Sequence, residues 1–470
     1  MHRRNQDRFW KLVGEHAHAV NVAVTGLSAL PGTAQPFAAA RAMTRFLNND
    51  DIPFHALIEP AQDAVGSELA RRPGRFVLVV HDWCMFNFNR HTSKRDRYVR
   101  SHDTDLGYEL GTALAVDAAD GRPLGPMEFR LRTAEGMLST RLGGAALPPG
   151  HVDELDDTMA AAAGWGLGRT PVHVIDREAD SVGHYRRWHA AGRRFVVRAD
   201  HDRVILHQGR ECALAEAVAG LAGSFAELRD AEGRPESVTI RAGVGTVHVA
   251  ETEVVLHRPA RHYTGERTAS GSKKQIEVPG PPLPLRLVVT RVVDQASAVL
   301  AEWWLLTNVA GGDAGAATIG RWYAWRWAIE SYHKLIKSSG MNAEAWQQES
   351  GAAFLRRLCV ASMACLTVWH LQRDKSPAAA RLRTVLVRLS GRQMKHGVES
   401  TAPALLAGLE RLLAIDDLMQ VEDLDEILNL ARRQLPRLFP DRSGCPTRKV
   451  VSIPMPGKGG SRVGCTHLPD

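Results

Sequence analysis

Cysteine is scarce and unpaired by spacing: Cys84, Cys212, Cys359, Cys365, Cys445 and Cys465 are scattered through 470 residues with no C-x-x-C pair. That pattern argues against a disulfide framework and a cysteine zinc site, and it suits a reducing compartment. Long apolar runs are also lacking. The longest, Leu358 to Trp369, contains Ser362 and Thr367 and is too short to span a bilayer. Residues 1–30 begin with basic residues, but Glu15, His16, His18 and Asn21 break the weak apolar run that follows, so no secretory signal is expected. There is no P-loop, no G-x-S-x-G elbow and no H-E-x-x-H. In Gly164-Trp165-Gly166-Leu167-Gly168-Arg169, Arg169 stands where a dinucleotide fingerprint needs glycine. Membrane transport, secretion, nucleotide hydrolysis, serine hydrolysis and zinc proteolysis are all disfavoured.

What is present suits a folded chain of two to four domains. Hydrophobic residues make up 44% and charged residues 24%, enough to bury a core. Basic residues number 59 against 52 acidic, a net charge of +7, a balance compatible with a polyanion such as nucleic acid.

Residues 1–70 read as helical, with Pro36 at a first helical position and Phe37, Ala40, Met43, Phe46 and Leu47 at helical spacing. From Phe76 the pattern changes. Phe76-Val77-Leu78-Val79-Val80 reads as a strand buried on both faces and ending at His81-Asp82. Strands over 107–117, 126–133, Val172–Ile175 and Arg194–Arg198 alternate with helices over 151–165 and about 181–191, which predicts an α/β sheet in residues 71–200. Residues 201–310 read as a β-rich insertion, with strands at Ser237–Ala242, Thr246–His257, Leu285–Val293 and Trp303–Val309. Residues 311–345 hold a further helix, 346–440 are helical, and 441–470, rich in Gly and Pro, read as a disordered tail.

The candidate chemistry is carboxylate chemistry. Asp82 and Asp176 each follow a buried apolar run, and ligands of α/β sheets gather at the carboxyl ends of strands. A turn-forming Asp gives the same local pattern, and Glu178 and Asp180 are alternative acids to Asp176. The third element is Arg321-Trp322-Tyr323-Ala324-Trp325-Arg326-Trp327-Ala328-Ile329-Glu330-Ser331-Tyr332-His333-Lys334-Leu335-Ile336-Lys337. On one continuous helix, Tyr323, Arg326, Glu330, Lys334 and Lys337 fall on a face about 80° wide. A solvated face with an i,i+4 Glu330–Lys334 pair would look similar. One carboxylate among cations and a phenol, however, suits holding a metal while gripping phosphates. Asp82, Asp176 and Glu330 together would repel one another unless two Mg²⁺ or Mn²⁺ ions relieved the repulsion. Such a pair serves phosphoryl transfer on a phosphodiester.

These motifs resemble those of bacterial insertion-sequence transposases of the DDE type, in the insertion-sequence-four branch with the Tyr-Arg-Glu-Lys signature (the transposon-five type). The likeness runs over residues 35–375. It rests on the strand before Asp82, Ile175-Asp176-Arg177-Glu178-Ala179-Asp180, Arg194-Phe195-Val196-Val197-Arg198, Glu302-Trp303-Trp304-Leu305-Leu306-Thr307, and Tyr323, Arg326, Glu330 and Lys337. Trp83-Cys84 stands where close relatives carry a Thr pair. The resemblance implies an RNase H-like core interrupted by the insertion, with Asp82, Asp176 and Glu330 binding two Mg²⁺ or Mn²⁺ ions. It also implies Arg198, Tyr323, Arg326, Lys334 and Lys337 on DNA phosphates, and Trp303, with Trp304 as its competitor, stacking on a flipped base. By the same resemblance the N-terminal region binds terminal inverted repeats of double-stranded DNA, and residues 346–440 serve a homodimer. Cleavage then proceeds through a hairpin to strand transfer into target DNA, in the bacterial cytoplasm at the nucleoid.

Charge alone adds Arg90, Lys94, Arg95, Arg97 and Arg100, and in the insertion Lys273 and Lys274, as further DNA contacts. Three competing functions remain: an inactive DNA-binding remnant, a nuclease without strand transfer, and a glycosidase using a carboxylate pair.

Overall fold

Three helices precede the sheet: α1 (Arg3–His18), α2 (Gln35–Leu47) and α3 (Phe54–Ala70). The helical spacing read from sequence buries Met43, Phe46 and Leu47 on one stripe of α2. The computed structural model describes residues 1–18, 35–99, 102–148, 152–230, 232–240, 242–269, 271–395, 397–420, 422–435 and 467–468. Two compact units divide it, Met1–Arg373 with Cys465–Asp470, and Asp374–Gly464.

The first unit is built on a mixed sheet. Its first part comprises β1 (Phe76–Asn87), β2 (Tyr98–Val99), β3 (Leu106–Asp117), β4 (Pro123–Thr133), β5 (Gly136–Ser139), β6 (Gly143–Ala145), β7 (Thr170–Ile175) and β8 (Arg194–Arg198), with α4 (Glu154–Ala162) before β7 and α5 (Val182–Ala190) before β8. Val77 to Val80 are wholly buried, as expected of a strand covered on both faces. Contrary to the sequence reading, β1 does not end at Asp82. It runs on to Asn87 because β3 continues to pair with it through Asn87↔Gly107. β1 and β7 are parallel, as are β7 and β8, whereas β3 and β4 turn back antiparallel.

Residues 204–307 add β9 (Val204–His207), β10 (Arg210–Ala213), α6 (Leu214–Ala219), β11 (Ala226–Glu227), β12 (Ser237–Ile240), β13 (Gly243–Leu256), β14 (Ala260–Arg267), β15 (Lys273–Val278), β16 (Leu283–Val293) and β17 (Val299–Thr307). The chain leaves the sheet after β8 and returns as β17 on its free edge, through Leu305↔Arg198. The β-rich stretch therefore extends the same sheet, giving the order β10-β9-β13-β16-β17-β8-β7-β1-β3-β4-β5-β6. β14 and β15 form a separate two-stranded ribbon.

The last helices of this unit are α7 (Ala316–Ala324), α8 (Trp327–Lys334) and α9 (Gly351–Arg373). α9 is longer than its apolar stretch suggests. By length and composition it could cross a membrane, yet 89% of its apolar window is buried within the protein. It packs against α1, α2, α3 and β4. α9 thus belongs to the sheet-bearing unit, and the unit boundary falls at Arg373 rather than at 346. The second unit contains α10 (Pro377–Ser390), α11 (Ala402–Met419) and α12 (Leu424–Gln434), each capped at its N-terminus by Ser376, Thr401 or Asp423. Most of the 441–470 stretch lies outside the described residues; His467–Leu468 pair in parallel with Thr239–Ile240.

Candidate active site

The β1–β7 register brings the two aspartates together. Their ladder ends at Val80↔Val174, and two further residues on each chain are Asp82 and Asp176. Asp176 follows the last residue of β7, while β1 runs on past Asp82, and the two carboxyls are near enough for each to feel the other's charge. Asp176 caps the short turn that follows, accepting the Glu178 N–H at 2.9 Å. Of the alternative acids, Asp180 is committed elsewhere. It accepts the Tyr185 hydroxyl at 2.8 Å, the Asp200 N–H at 2.7 Å and Arg203 Nε at 3.0 Å. Glu178 is exposed.

Glu330 reaches the same place through Arg326. Arg326 Nη2 donates to Glu330 Oε1 at 3.1 Å, while Nη1 stands 3.4 Å from Asp82 Oδ2. Burial pushes the Asp82 carboxyl up to about 7; Arg326 pulls against that rise, and Glu330 and Asp176 add to it. The three carboxylates thus share one field, with the guanidinium between two of them. Carboxylate oxygens are the donor type a hard divalent cation takes, but in this arrangement Arg326 occupies the space between Asp82 and Glu330, and the three acids do not gather their ligand atoms within 4.8 Å as Asp153, Asp156 and His184 do.

The single helical face expected over 323–337 does not form. The helix breaks at Trp325–Arg326, where the Arg326, Ala328 and Ile329 N–H groups reach back three residues instead of four. Trp325 is wedged against the β3–β4 turn. Gly121 there has φ +72°, and a Cβ on it would fall 2.4 Å from the indole. After Lys334 the chain enters a π-helical turn, Leu335–Ser339. These two irregularities sort the five residues differently from a straight helix. Tyr323 is buried beside Arg198, Arg326 and Asp176, and burial raises its phenol pKa. Lys334 is exposed. Lys337 turns to the far end of β1, donating to the Met85 carbonyl at 2.5 Å and pairing with Glu344 at 3.3 Å.

Arg198 lies opposite Leu305, and strand alternation sets Trp303 on that same face, the one α7 covers. α7 approaches it closely enough that a Cβ on Gly320 would meet Thr290 Oγ1 at 2.8 Å. Trp304 points to the opposite face, donating to Glu302 at 2.6 Å under the His201 ring. Both tryptophans are buried.

The basic run after β1 is largely structural. Lys94 is buried, donates to the Trp346 carbonyl at 2.9 Å and to that of Gln348, and has its pKa lowered to about 8, mainly by burial. Arg97 donates to the carbonyls of Lys94 and Phe88 at 2.9 and 3.0 Å. These two are therefore not open phosphate contacts, because folding consumes their donors. Arg90 and Arg95 remain exposed, and Arg100 lies outside the described residues. Lys274 pairs with Glu266 at 2.7 Å; the Lys273 side chain lies outside the described part.

Sequence reading missed two further clusters. His81 and His173 meet at 2.9 Å in the sheet interior; a histidine inside each of two adjacent buried strands was the available signal. Asp153, Asp156 and His184 bring ligand atoms within 4.8 Å of one another, the arrangement of a potential metal site. Their oxygens are already engaged: Arg187 Nε and Trp188 Nε1 donate to Asp156 at 2.9 and 2.6 Å, and Arg187 Nη2 to Asp153 at 3.2 Å. A guanidinium supplies the charge there, as Arg326 does between Asp82 and Glu330, and the network ties the start of α4 to α5.

The fold is that of a mixed α/β protein with a large mixed sheet, in which Asp82, Asp176 and Glu330 lie near enough to influence one another's charge. Compared with known proteins, the chain matches no family model and no curated sequence.

Proposed function

We propose that this protein is a DDE-type transposase that cleaves double-stranded DNA at the ends of an insertion sequence and joins them to target DNA. The observation that carries the reading is that Asp82 and Asp176, each two residues beyond the last pair of the β1–β7 ladder, share one electrostatic environment with Glu330, which Arg326 links to Asp82. Support for an RNase H-like core comes from the strand order β4-β3-β1-β7-β8, a three-stranded antiparallel meander joined to parallel strands at β1.

In this reading Asp82, Asp176 and Glu330 hold two Mg²⁺ or Mn²⁺ ions, which supply Lewis acidity and an activated oxygen nucleophile. The chain's own residues orient the DNA. Arg198, Arg326 and the Tyr323 hydroxyl line one side of the carboxylates and meet the phosphate at the scissile bond. Lys334 extends the cationic edge along the backbone, and Trp303, buried on the sheet face that α7 covers, takes a base extruded during hairpin formation only once α7 moves off it. Lys337 grips phosphate only after release from Met85 and Glu344. Two copies acting together, each on the other's DNA end, complete the expected assembly.

The test is a labelled duplex carrying the ends of the protein's own element, incubated with Mg²⁺ beside the Asp176→Ala variant. Metal-dependent nicking followed by a hairpin band, absent in the variant, is the expected result. Nicking without joining would make the protein a nuclease, and binding without product an inactive remnant. Glu330→Gln is expected to abolish cleavage while leaving DNA binding within about threefold, since it removes one ligand charge and no phosphate donor. Unchanged cleavage by this variant refutes the triad.

A further inference from the structure

Trp83 is the residue next to Asp82, and the function above makes no use of it. Beyond Val80 the ladder from β7 ends while that to β3 continues, and further along β1 the Met85 carbonyl accepts Lys337 Nζ and the Asn87 N–H donates to Glu344. Asp82 therefore sits just past the point where β7 leaves β1, and a carboxylate that is to hold a metal depends on neighbours that fix its geometry.

The Trp83 side chain provides that restraint from the opposite face of the sheet. Its indole N–H donates to Glu154 Oε2 at 3.0 Å. Glu154, at the start of α4, is buried, and its other oxygen accepts Arg132 Nε at 2.9 Å. Arg132 in turn stands 3.5 Å from Glu109 on β3. At the other end of the same residue, the Trp83 backbone N–H donates to Asp82 Oδ1 at 2.9 Å. Trp83 thus grips α4 with its ring and the Asp82 carboxylate with its main chain. The cross-strand partner of Trp83 is Gly111, where a Cβ would stand 3.1 Å from the indole nitrogen and 3.5 Å from Glu154 Oε2. The indole–carboxylate bond occupies the space a side chain would take.

We propose that Trp83, anchored by Glu154, is a positioning residue that fixes the Asp82 carboxylate for divalent metal binding. This rests on the reading of Asp82, Asp176 and Glu330 as a metal-binding set. Trp83 acts through Asp82 and touches neither metal nor DNA.

The experiment is Mn²⁺ titration by calorimetry on the full chain without DNA, comparing the unmodified protein with Trp83→Phe, Glu154→Gln and Asp82→Asn, each checked by thermal melting. Phenylalanine keeps the aromatic packing and loses the N–H donor, so Trp83→Phe is expected to bind Mn²⁺ about tenfold more weakly. Glutamine has one acceptor oxygen where Glu154 uses two, for the indole and for Arg132, so Glu154→Gln is expected to weaken Mn²⁺ binding in the same direction as Trp83→Phe but by less. Unaltered affinity in Trp83→Phe overturns the positioning role alone. So does an equal loss in both variants that tracks their melting temperatures. If Trp83→Phe does not fold, Gly111→Ala, which pushes the indole off Glu154, is read against the same expectation and the same overturning result. Should the unmodified protein bind Mn²⁺ no better than Asp82→Asn, the metal-site reading falls, and this proposal with it.

Discussion

At the scale of the residue, the environment of each acid assigns its role. Asp82 and Asp180 both follow or interrupt buried strand sequence, yet their surroundings are opposite. Asp82 is desolvated, and its titration is displaced from 3.8 to about 7. A carboxyl raised in this way is held more tightly by its proton in the folded state. The stability it contributes is present below about 3.8 and is lost as pH rises through about 7. Asp82→Asn, which cannot ionise, should therefore gain stability relative to the unmodified protein between about pH 4 and about pH 8, by on the order of 2 kcal/mol. Melting temperatures recorded in chelator across that range check this; a difference independent of pH rules it out. Asp180 instead satisfies a tyrosine, a main-chain N–H and Arg203. Asp180→Ala leaves that nearly buried guanidinium without its partner and should cost about 3 kcal/mol in denaturant unfolding. A loss below about 0.5 kcal/mol would mean that the network is not holding the turn.

At the scale of the element, breaks in regular structure decide which side chains meet. A straight helix over 323–337 would present Lys337 beside Glu330; the break at Trp325–Arg326 and the π turn after Lys334 deliver Lys337 to β1 instead. The segment after β1 is similar. Charge along the sequence groups Lys94 with Arg95, but the turn geometry buries the first and exposes the second. If DNA runs along this edge, Arg95→Ala should flatten the slope of log affinity against log salt by about one, whereas Lys94→Met should leave that slope unchanged. Filter binding over a range of salt concentrations distinguishes them, and equal slopes for the two variants would contradict the assignment. Lys94→Met should show its effect in stability, because the carbonyls of Trp346 and Gln348 lose their donor.

At the scale of the whole molecule, α9 ties the N-terminal helices to the sheet. Its apolar surface is closed by α1, α2 and α3 on one side and β4 on the other. A chain beginning at Arg71 would uncover a long apolar face, and such faces drive association. We expect that truncated chain to aggregate or to pellet with membranes, while residues 1–373 stay dispersed; sedimentation after expression is the check. A dispersed chain from Arg71 would mean that α9 is covered by something other than the N-terminal helices. The N-terminal helices are thus part of the packing that covers α9.

Much of the element pattern was legible in the sequence. Arg194–Arg198 is a strand to the residue, and Thr246–His257 and Leu285–Val293 match β13 and β16 within a few residues. Apolar runs and period-two alternation depend on nearest neighbours along the chain, so the sequence determines them directly. The same local logic put forward Asp82, Asp176 and Glu330 as candidate acids, whose joint role the cleavage assay tests. What it could not determine was the end of β1, the break at Trp325, or the destinations of Lys94 and Lys337. Each of these is decided by a partner distant in sequence: β3 for the strand, Gly121 for the indole, the 346–348 carbonyls for one lysine and Glu344 for the other. Pattern sets which segments are strands and helices. Only the closing of long-range contacts, where a buried cation must find a carbonyl or a carboxylate, decides which charges remain free to act.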